Sequence, residues 1–148
     1  MDRNHYVVLT GSKSNAGDYL IKFRGKRLLA ALRPDRKLVD FNAWEPLEGE
    51  RLDVVNRSAA LILLGGPALQ PDMYPAVYPL VPDLSRINVP VLTMGIGWRS
   101  ASGEWSAATA MRLSAATREL LGKTAEGGQR IGVREYHTLE VLRSNGFR

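Results

Sequence analysis

The chain has 148 residues, 45% of them hydrophobic, and a formal net charge of +5. That length suits one domain built around a single core, and the hydrophobic share excludes a disordered chain. Cysteine is absent, which excludes disulfides, thiolate zinc sites and cysteine nucleophiles. The positive balance favours an anionic ligand or surface partner. Its one cluster, Lys22, Arg24, Lys26, Arg27, Arg33 and Arg36, reads as a solvated helix face rather than a nucleic-acid patch. No apolar run approaches the length of a membrane span, and no hydrophobic leader precedes the first strand, so a cytoplasmic protein without an integral membrane segment is expected.

Tyr6, Val7, Val8, Leu9 and Thr10 form an apolar, β-branched run that predicts a buried parallel strand. It empties into the loop Gly11-Ser12-Lys13-Ser14-Asn15-Ala16-Gly17-Asp18 and then into a long helix ended by Pro34. Asp18 suits the cap or first turn, where a carboxylate meets the positive end of the helix dipole. Leu20, Ile21, Leu28, Leu29 and Leu32 are expected on one broad face, with Gly25 letting the helix approach the sheet.

Residues 37–41 predict a second strand, and residues 52–57 a short helix or turn. Residues 59–64 are apolar on both faces and predict a central strand, which ends in Gly65-Gly66-Pro67. Prolines 67, 71, 75, 79, 82 and 90 then forbid a long regular helix, so an irregular surface segment is expected, with one helical turn near residues 83–87. Residues 91–94 predict a fourth strand, ending in Gly95-Ile96-Gly97-Trp98-Arg99. A helix over residues 106–121 follows, stopped by Gly122. Residues 130–133 predict a short fifth strand and residues 135–145 a last helix, stopped by Gly146. Strands separated by helices must run parallel with right-handed crossovers. The expected fold is therefore α/β, a Rossmann-like doubly wound parallel sheet of about five strands, with ligands at the carboxyl ends of those strands. The loops at residues 11–17, 65–67 and 95–99, and the turn after Val133, all fall on that edge.

The first loop fails the phosphate-binding templates. Ala16-Gly17-Asp18 stands where a P-loop needs Gly-Lys-Ser/Thr, and Gly11-Ser12-Lys13 lacks the second close-approach glycine of a dinucleotide fingerprint. There is no Gly-x-Ser-x-Gly elbow for hydrolase chemistry. The only histidines are His5, expected in solvent, and His137, expected at the surface of the last helix's first turn. With no cysteine and no carboxylate pair at ligand spacing, no metal is expected. The candidate substrate-binding residues are Ser12, Lys13, Ser14, Asn15, Gly17, Asp18, Gly65, Gly66, Gly97, Trp98, Arg134 and Glu135, and Arg99 has a suitable side chain beside them. Lys13 and Arg134 could hold an anion, Trp98 could offer a flat face to a sugar or base, and backbone N–H groups between Ser12 and Gly17 are the expected direct contacts. No residue can be assigned as a catalyst.

Four features occur in order along the chain. They are Asn15-x-Gly17-Asp18 after strand one, Leu63-Leu64-Gly65-Gly66 after strand three, and Pro90-Val91-x-x-x-Gly95-x-Gly97 around strand four. The fourth is Gly132-Val133-Arg134-Glu135-x-x-Thr138-x-x-x-Leu142-x-x-x-Gly146. Together they resemble the polysaccharide pyruvyl transferase family. The resemblance implies one half of a two-domain, GT-B-like architecture with the active site in the cleft between the halves. It implies transfer of the pyruvyl unit of phosphoenolpyruvate to a sugar of a cell-surface or exported polysaccharide as a ketal, with phosphoenolpyruvate as donor substrate and no separate cofactor. Residues 1–148 would then be one Rossmann-like domain, the N-terminal half of a larger protein. This half would supply the acceptor-sugar side, and the missing half most of the groups that grip phosphoenolpyruvate. Glu135 departs from the family pattern, which usually has Asp there, a shorter side chain that caps a helix better.

Two other function classes stay open on the residues alone. One is a non-catalytic module that binds a nucleotide-sugar or other anion on the same edge. The other is an assembly domain, because a half-domain with exposed apolar surface tends to cover it by forming a homo-oligomer.

Overall fold

The computed structural model describes residues 3–11 and 15–147. Four strands, β1 (His5–Thr10), β2 (Lys37–Asn42), β3 (Leu61–Leu64) and β4 (Val91–Met94), form one sheet in the order β2-β1-β3-β4. Every pairing is parallel, with Val8 opposite both Asp40 and Ile62, and Ile62 opposite Leu92. From β1 the chain steps to β2 on one side and then crosses to β3 on the other. The switch point of this doubly wound sheet therefore lies between β1 and β3.

Side-chain alternation divides the sheet into two unequal faces. Val7, Leu9, Leu61, Leu63 and Val91 point into the main core, where Leu47, Leu52, Val55, Leu69, Met73, Leu80, Leu84, Ile87, Leu120 and Leu121 meet them. The opposite face, with Val8, Ile62 and Leu64, is covered by α1 (Ala16–Leu32). That helix packs through Ile21, Gly25 and Leu29, which are one turn apart and half-buried. A Cβ on Gly25 would lie 2.6 Å from a Leu64 methyl, so the glycine does permit close approach. Leu20, Leu28 and Leu32, expected on the same face, are 61%, 48% and 65% exposed. The contact row is narrower than the hydrophobic pattern, because a helix resting on a flat sheet edge touches it along one i, i+4 ridge. No residue of α1 is fully buried. Its firmest anchor is polar: Lys22 and Lys26 both reach the Asp40 carboxylate, at 2.9 and 2.8 Å, and the Thr10 hydroxyl donates to it at 3.0 Å.

Four other helices follow: α2 (Glu50–Asn56), α3 (Trp105–Ala110), α4 (Ala115–Thr124) and α5 (Tyr136–Ser144). Four further expectations need correction. The proline-rich segment is irregular but not superficial, since Met73, Tyr74, Tyr78, Leu80, Val81, Leu84 and Ile87 are all buried. Its backbone is satisfied from elsewhere: the Tyr74 N–H donates to Thr117 Oγ1 at 3.1 Å, and the Tyr74 hydroxyl donates to the Val81 carbonyl. The single turn near residue 85 does form, as a 3-10 turn at Leu84–Arg86.

The helix expected over residues 106–121 is interrupted at residues 111–114. Ser114 caps a new helix by accepting from the Thr117 N–H, and its own N–H donates to the Pro71 carbonyl. Asn145, 4% exposed, accepts from the Leu113 N–H and donates to the Met111 carbonyl.

The fifth strand is reduced to one bridge, Val133 beside Ile96, so the sheet has four strands among the described residues. Gly132 presses so closely on β4 that a Cβ there would sit 2.6 Å from the Thr93 carbonyl oxygen. The Gly132 N–H is taken by the Thr93 hydroxyl rather than by a ladder partner. Finally, His5 is not in solvent: its Nε2–H donates to the Val54 carbonyl at 3.2 Å, tying β1 to α2. No helix among the described residues is long and apolar enough to cross a membrane.

Candidate functional site

The carboxyl ends of β1 and β3 diverge around a cavity of about 320 Å³. Gly11 comes from the end of β1, Ala43 and Trp44 from the end of β2, Gly65 to Ala68 from the end of β3, and Arg99 from beyond β4. Asp18, in the first turn of α1, and Val77 and Tyr78, from the proline-rich segment, also line it among the described residues. The β3 loop can run here only because of its glycines. Gly65 and Gly66 have φ of +63° and +85°, a region other residues rarely enter, and a Cβ on Gly65 would strike the Ile21 side chain. A Cβ on Gly66 would stand 3.5 Å from Asp18 Oδ1, which places the Asp18 carboxylate directly over that loop.

Three polar side chains of this lining have no hydrogen-bond or ion-pair partner among the described residues: the Asp18 carboxylate, the Tyr78 hydroxyl and the Arg99 guanidinium. Tyr78 is only 3% exposed. Burial pushes its hydroxyl's pKa up, and the nearby negative charge of Asp18 pushes it further, so it stays protonated. A carboxylate, a neutral hydroxyl and a guanidinium cation thus face one space without bonding to one another among the described residues.

The N-terminus of α1 is less open than the loop sequence suggests. Asn15 is its N-cap, with Oδ1 accepting from the Gly17 N–H at 2.8 Å. The Asp18 and Tyr19 N–H groups turn back to the Asn15 carbonyl. The Gly17 amide, counted among the direct contacts from sequence, is therefore occupied. Ser12, Lys13 and Ser14 lie outside the described residues.

A second cluster surrounds the end of β4 and the start of α5. The Trp98 N–H donates at 2.7 Å to both Glu135 Oε1 and Thr138 Oγ1, and the Thr138 hydroxyl donates to the same carboxylate. Arg134 Nε donates to Glu135 Oε2 at 2.9 Å. Burial works to raise the Glu135 pKa, but the bonds from Thr138, the Trp98 amide and Arg134 outweigh it and hold the carboxyl below its usual range. Although Glu135 sits at the N-cap of α5, it makes no side-chain cap bond. Its longer side chain reaches across to the Trp98 backbone instead. Gly97 leaves room for Arg134, whose guanidinium occupies the space of a Cβ. Trp98 is 9% exposed, and its ring stacks on His137 at 5.4 Å, with Trp105 edge-on to His137 at 4.9 Å. The indole presents no open face to a ligand, and its buried Nε1 lacks a hydrogen-bond partner. His137 is half-buried as the middle of an aromatic stack.

The structure thus gathers Asp18, Gly65 and Gly66 around the cavity, with Asn15 and Gly17 building the cap beside it. Gly97, Trp98, Arg134 and Glu135 belong to the separate β4–α5 cluster, where they brace one another. Sequence reading missed Trp44 and Tyr78. Trp44 stands two residues past β2, at a strand's carboxyl end like the glycine loops, and that position was the available signal. Tyr78 gave none, because it arrives from a proline-rich stretch with no periodic pattern. Among the described residues, no group of three or more His, Asp or Glu side chains is placed to hold a metal ion.

The fold is thus that of a Rossmann-like α/β domain, with a polar-lined cavity at the carboxyl-end switch point of its parallel sheet. The family model for polysaccharide pyruvyl transferase matches residues 15–148. The chain belongs to that family. No curated protein and no solved structure matches it.

Proposed function

We propose that this domain forms one wall of a pyruvyl transferase active site, in which phosphoenolpyruvate donates its pyruvyl unit to two hydroxyls of a glycan sugar. A general acid protonates the methylene carbon of the enol and leaves an oxocarbenium-like centre at the adjacent carbon. One sugar hydroxyl attacks that carbon and loses its proton. Phosphate then departs, and the second hydroxyl closes the cyclic ketal. Positive groups around carboxylate and phosphate stabilise the charge that develops. In this reading a second Rossmann-like half carries most of those groups, and the present domain carries the acceptor side.

The observation that carries the proposal, beside family membership, is the placement of three unpartnered polar side chains at the carboxyl ends of β1 and β3. The test is an assay of the gene product containing this domain, with phosphoenolpyruvate and bacterial-type polysaccharides as acceptors. Phosphate release coupled to a new ketal methyl signal in the NMR spectrum of the glycan is expected. Phosphoenolpyruvate turnover without a ketal, or no turnover with any acceptor, overturns it.

One observation favours a second reading, self-association. Tyr19, Leu20, Phe23, Leu28 and Leu32 of α1 are 48–65% exposed, more apolar surface than a helix ordinarily leaves in water. Light scattering over a hundredfold concentration range would show a dimer if this face pairs with itself, and a constant monomer mass if it does not.

A further inference from the structure

We propose that the outward face of α1 is a docking surface for an anionic lipid bilayer, on which the helix lies in the headgroup plane. The inference goes beyond the transferase reading and does not depend on it.

Ile21, Gly25 and Leu29 turn α1 towards the sheet, and Lys22 and Lys26 turn beside them to Asp40. Two adjacent i, i+4 rows are left away from the sheet: Tyr19, Phe23, Arg27 and Ala31, and Leu20, Arg24, Leu28 and Leu32. Every residue of both rows is exposed, and the large apolar ones keep about half of their surface or more. One arginine stands within each row. The Arg27 guanidinium lies 5.6 Å over the Phe23 ring, and neither Arg24 nor Arg27 has an ion-pair partner among the described residues. From Tyr19 to Leu32, about 20 Å of helix, the chain has four cations and no acid.

Each row borders a groove. One, of about 430 Å³, combines Tyr19, Phe23 and Leu38 with Lys22, Lys26 and Arg27. The other, of about 410 Å³, combines Leu28, Leu64 and Met94 with Arg24 and Arg134. Apolar surface interspersed with cations thus continues from the helix onto the sheet on both sides.

Charge and apolar pattern together select the occupant. A second copy would cover the leucines, but two such faces would set Arg24 and Arg27 against their own kind, and like charges across an interface are strongly disfavoured. A nucleic acid would satisfy the arginines through its phosphates. It would leave Leu20, Leu28 and Leu32 in water, because aliphatic side chains offer no flat face for a base to stack on. An anionic bilayer uses both kinds of group at one depth. The aromatic and leucine side chains enter the boundary between headgroups and acyl chains, and the arginines reach lipid phosphates at the ends of their apolar stems. The net charge of +5 adds attraction at longer range.

The experiment is flotation of the full chain with vesicles of phosphatidylcholine alone, and with vesicles that also carry phosphatidylglycerol. Binding to the anionic vesicles only is expected. It should weaken about tenfold or more when added salt shortens the screening length from about 30 Å to about 3 Å. Arg24→Gln combined with Arg27→Gln should weaken it about twenty-five-fold, about fivefold for each cation. Leu20→Ser combined with Phe23→Ser should weaken it about tenfold or more. These side chains are exposed, so both double variants should keep the wild-type circular dichroism spectrum, and the arginine pair carries the test if the apolar pair fails to fold. Phe23→Trp should shift its emission to shorter wavelength on anionic vesicles. No binding to anionic vesicles, equal binding to neutral ones, unchanged affinity in the arginine pair, or a bound Phe23→Trp with unshifted emission would overturn the proposal. So would a dimer in light scattering that the Leu20→Ser, Phe23→Ser variant loses. A duplex oligonucleotide that binds more tightly than the vesicles, and equally well to that variant, would overturn it too.

Discussion

Asp40 illustrates how much of this fold hangs on single polar residues. Its carboxylate receives Lys22, Lys26 and Thr10 and so holds α1 to the edge strand β2. Burial alone would raise its pKa, but the bonds from Lys26, Lys22 and Thr10 carry it below the ordinary carboxylate value. A carboxyl depressed in the folded state stabilises the fold above its unfolded pKa, about 3.9. That stability disappears as pH falls through the lower folded value. Asp40→Asn should therefore cost about 1 kcal/mol at pH 7, given that the group is partly solvated. In urea titrations the gap between wild type and variant should narrow steadily below pH 4, and a gap constant from pH 7 to pH 2 would refute the argument. Glycine contacts give a second prediction at this scale. Gly132→Ala forces a Cβ against the Thr93 carbonyl, which is backbone and cannot step aside, whereas Gly25→Ala meets only the flexible end of Leu64. The first should destabilise by about 1–3 kcal/mol and the second by visibly less. Equal midpoints for the two variants would show that β4 yields as easily as a leucine.

At the level of elements, legibility from sequence tracked where the stabilising partners lie. β1 and β3 are readable because the residues that bury them are their own, continuous apolar runs with no polar interruption. The caps and loops of the cavity are readable for the same reason, since Asn15, Asp18, Gly65 and Gly66 act within a few residues of the strand ends. The break between α3 and α4 was not readable. The apolar pattern runs on through residues 106–121, and the groups that stop the helix come from Pro71 and Asn145, more than thirty residues away in sequence. Tyr78 escaped notice likewise, because its position is set by packing of the proline-rich segment against α4. Asn145 also donates to the Val141 carbonyl at 2.8 Å, so one side chain serves three backbone groups in two elements. Asn145→Leu fits the buried volume but leaves the Leu113 N–H and the Val141 carbonyl without these bonds, and the Met111 carbonyl with only Arg112 Nη1. A loss of about 3 kcal/mol or more is expected in chemical denaturation. A loss under 1 kcal/mol would mean that residues 111–114 rejoin the helix when released.

Over the whole molecule the two sheet faces differ in kind. One is closed by a core drawn from most of the chain, and the other by α1, a helix with no fully buried residue and several exposed apolar ones. The helix that supplies Asp18 to the cavity is thus the one α-helix among the described residues with no fully buried residue. Local opening free energy follows buried apolar contact. Amide hydrogen exchange at neutral pH should therefore rank α1 well below β1 and β3, with its amides exchanging by an opening that leaves the sheet intact. A ligand that bridges Asp18 and the β3 loop binds only when α1 is docked, so it must stabilise the docked state by RT ln(1 + [L]/Kd). At a ligand concentration tenfold above Kd that is about 1.4 kcal/mol, roughly tenfold slower exchange, confined to openings that undock α1. Slowing spread evenly over β1, β3 and α4 would instead place the ligand on the main core, and α1 amides already as protected as those of β3 would show that the helix is not the hinge of the site.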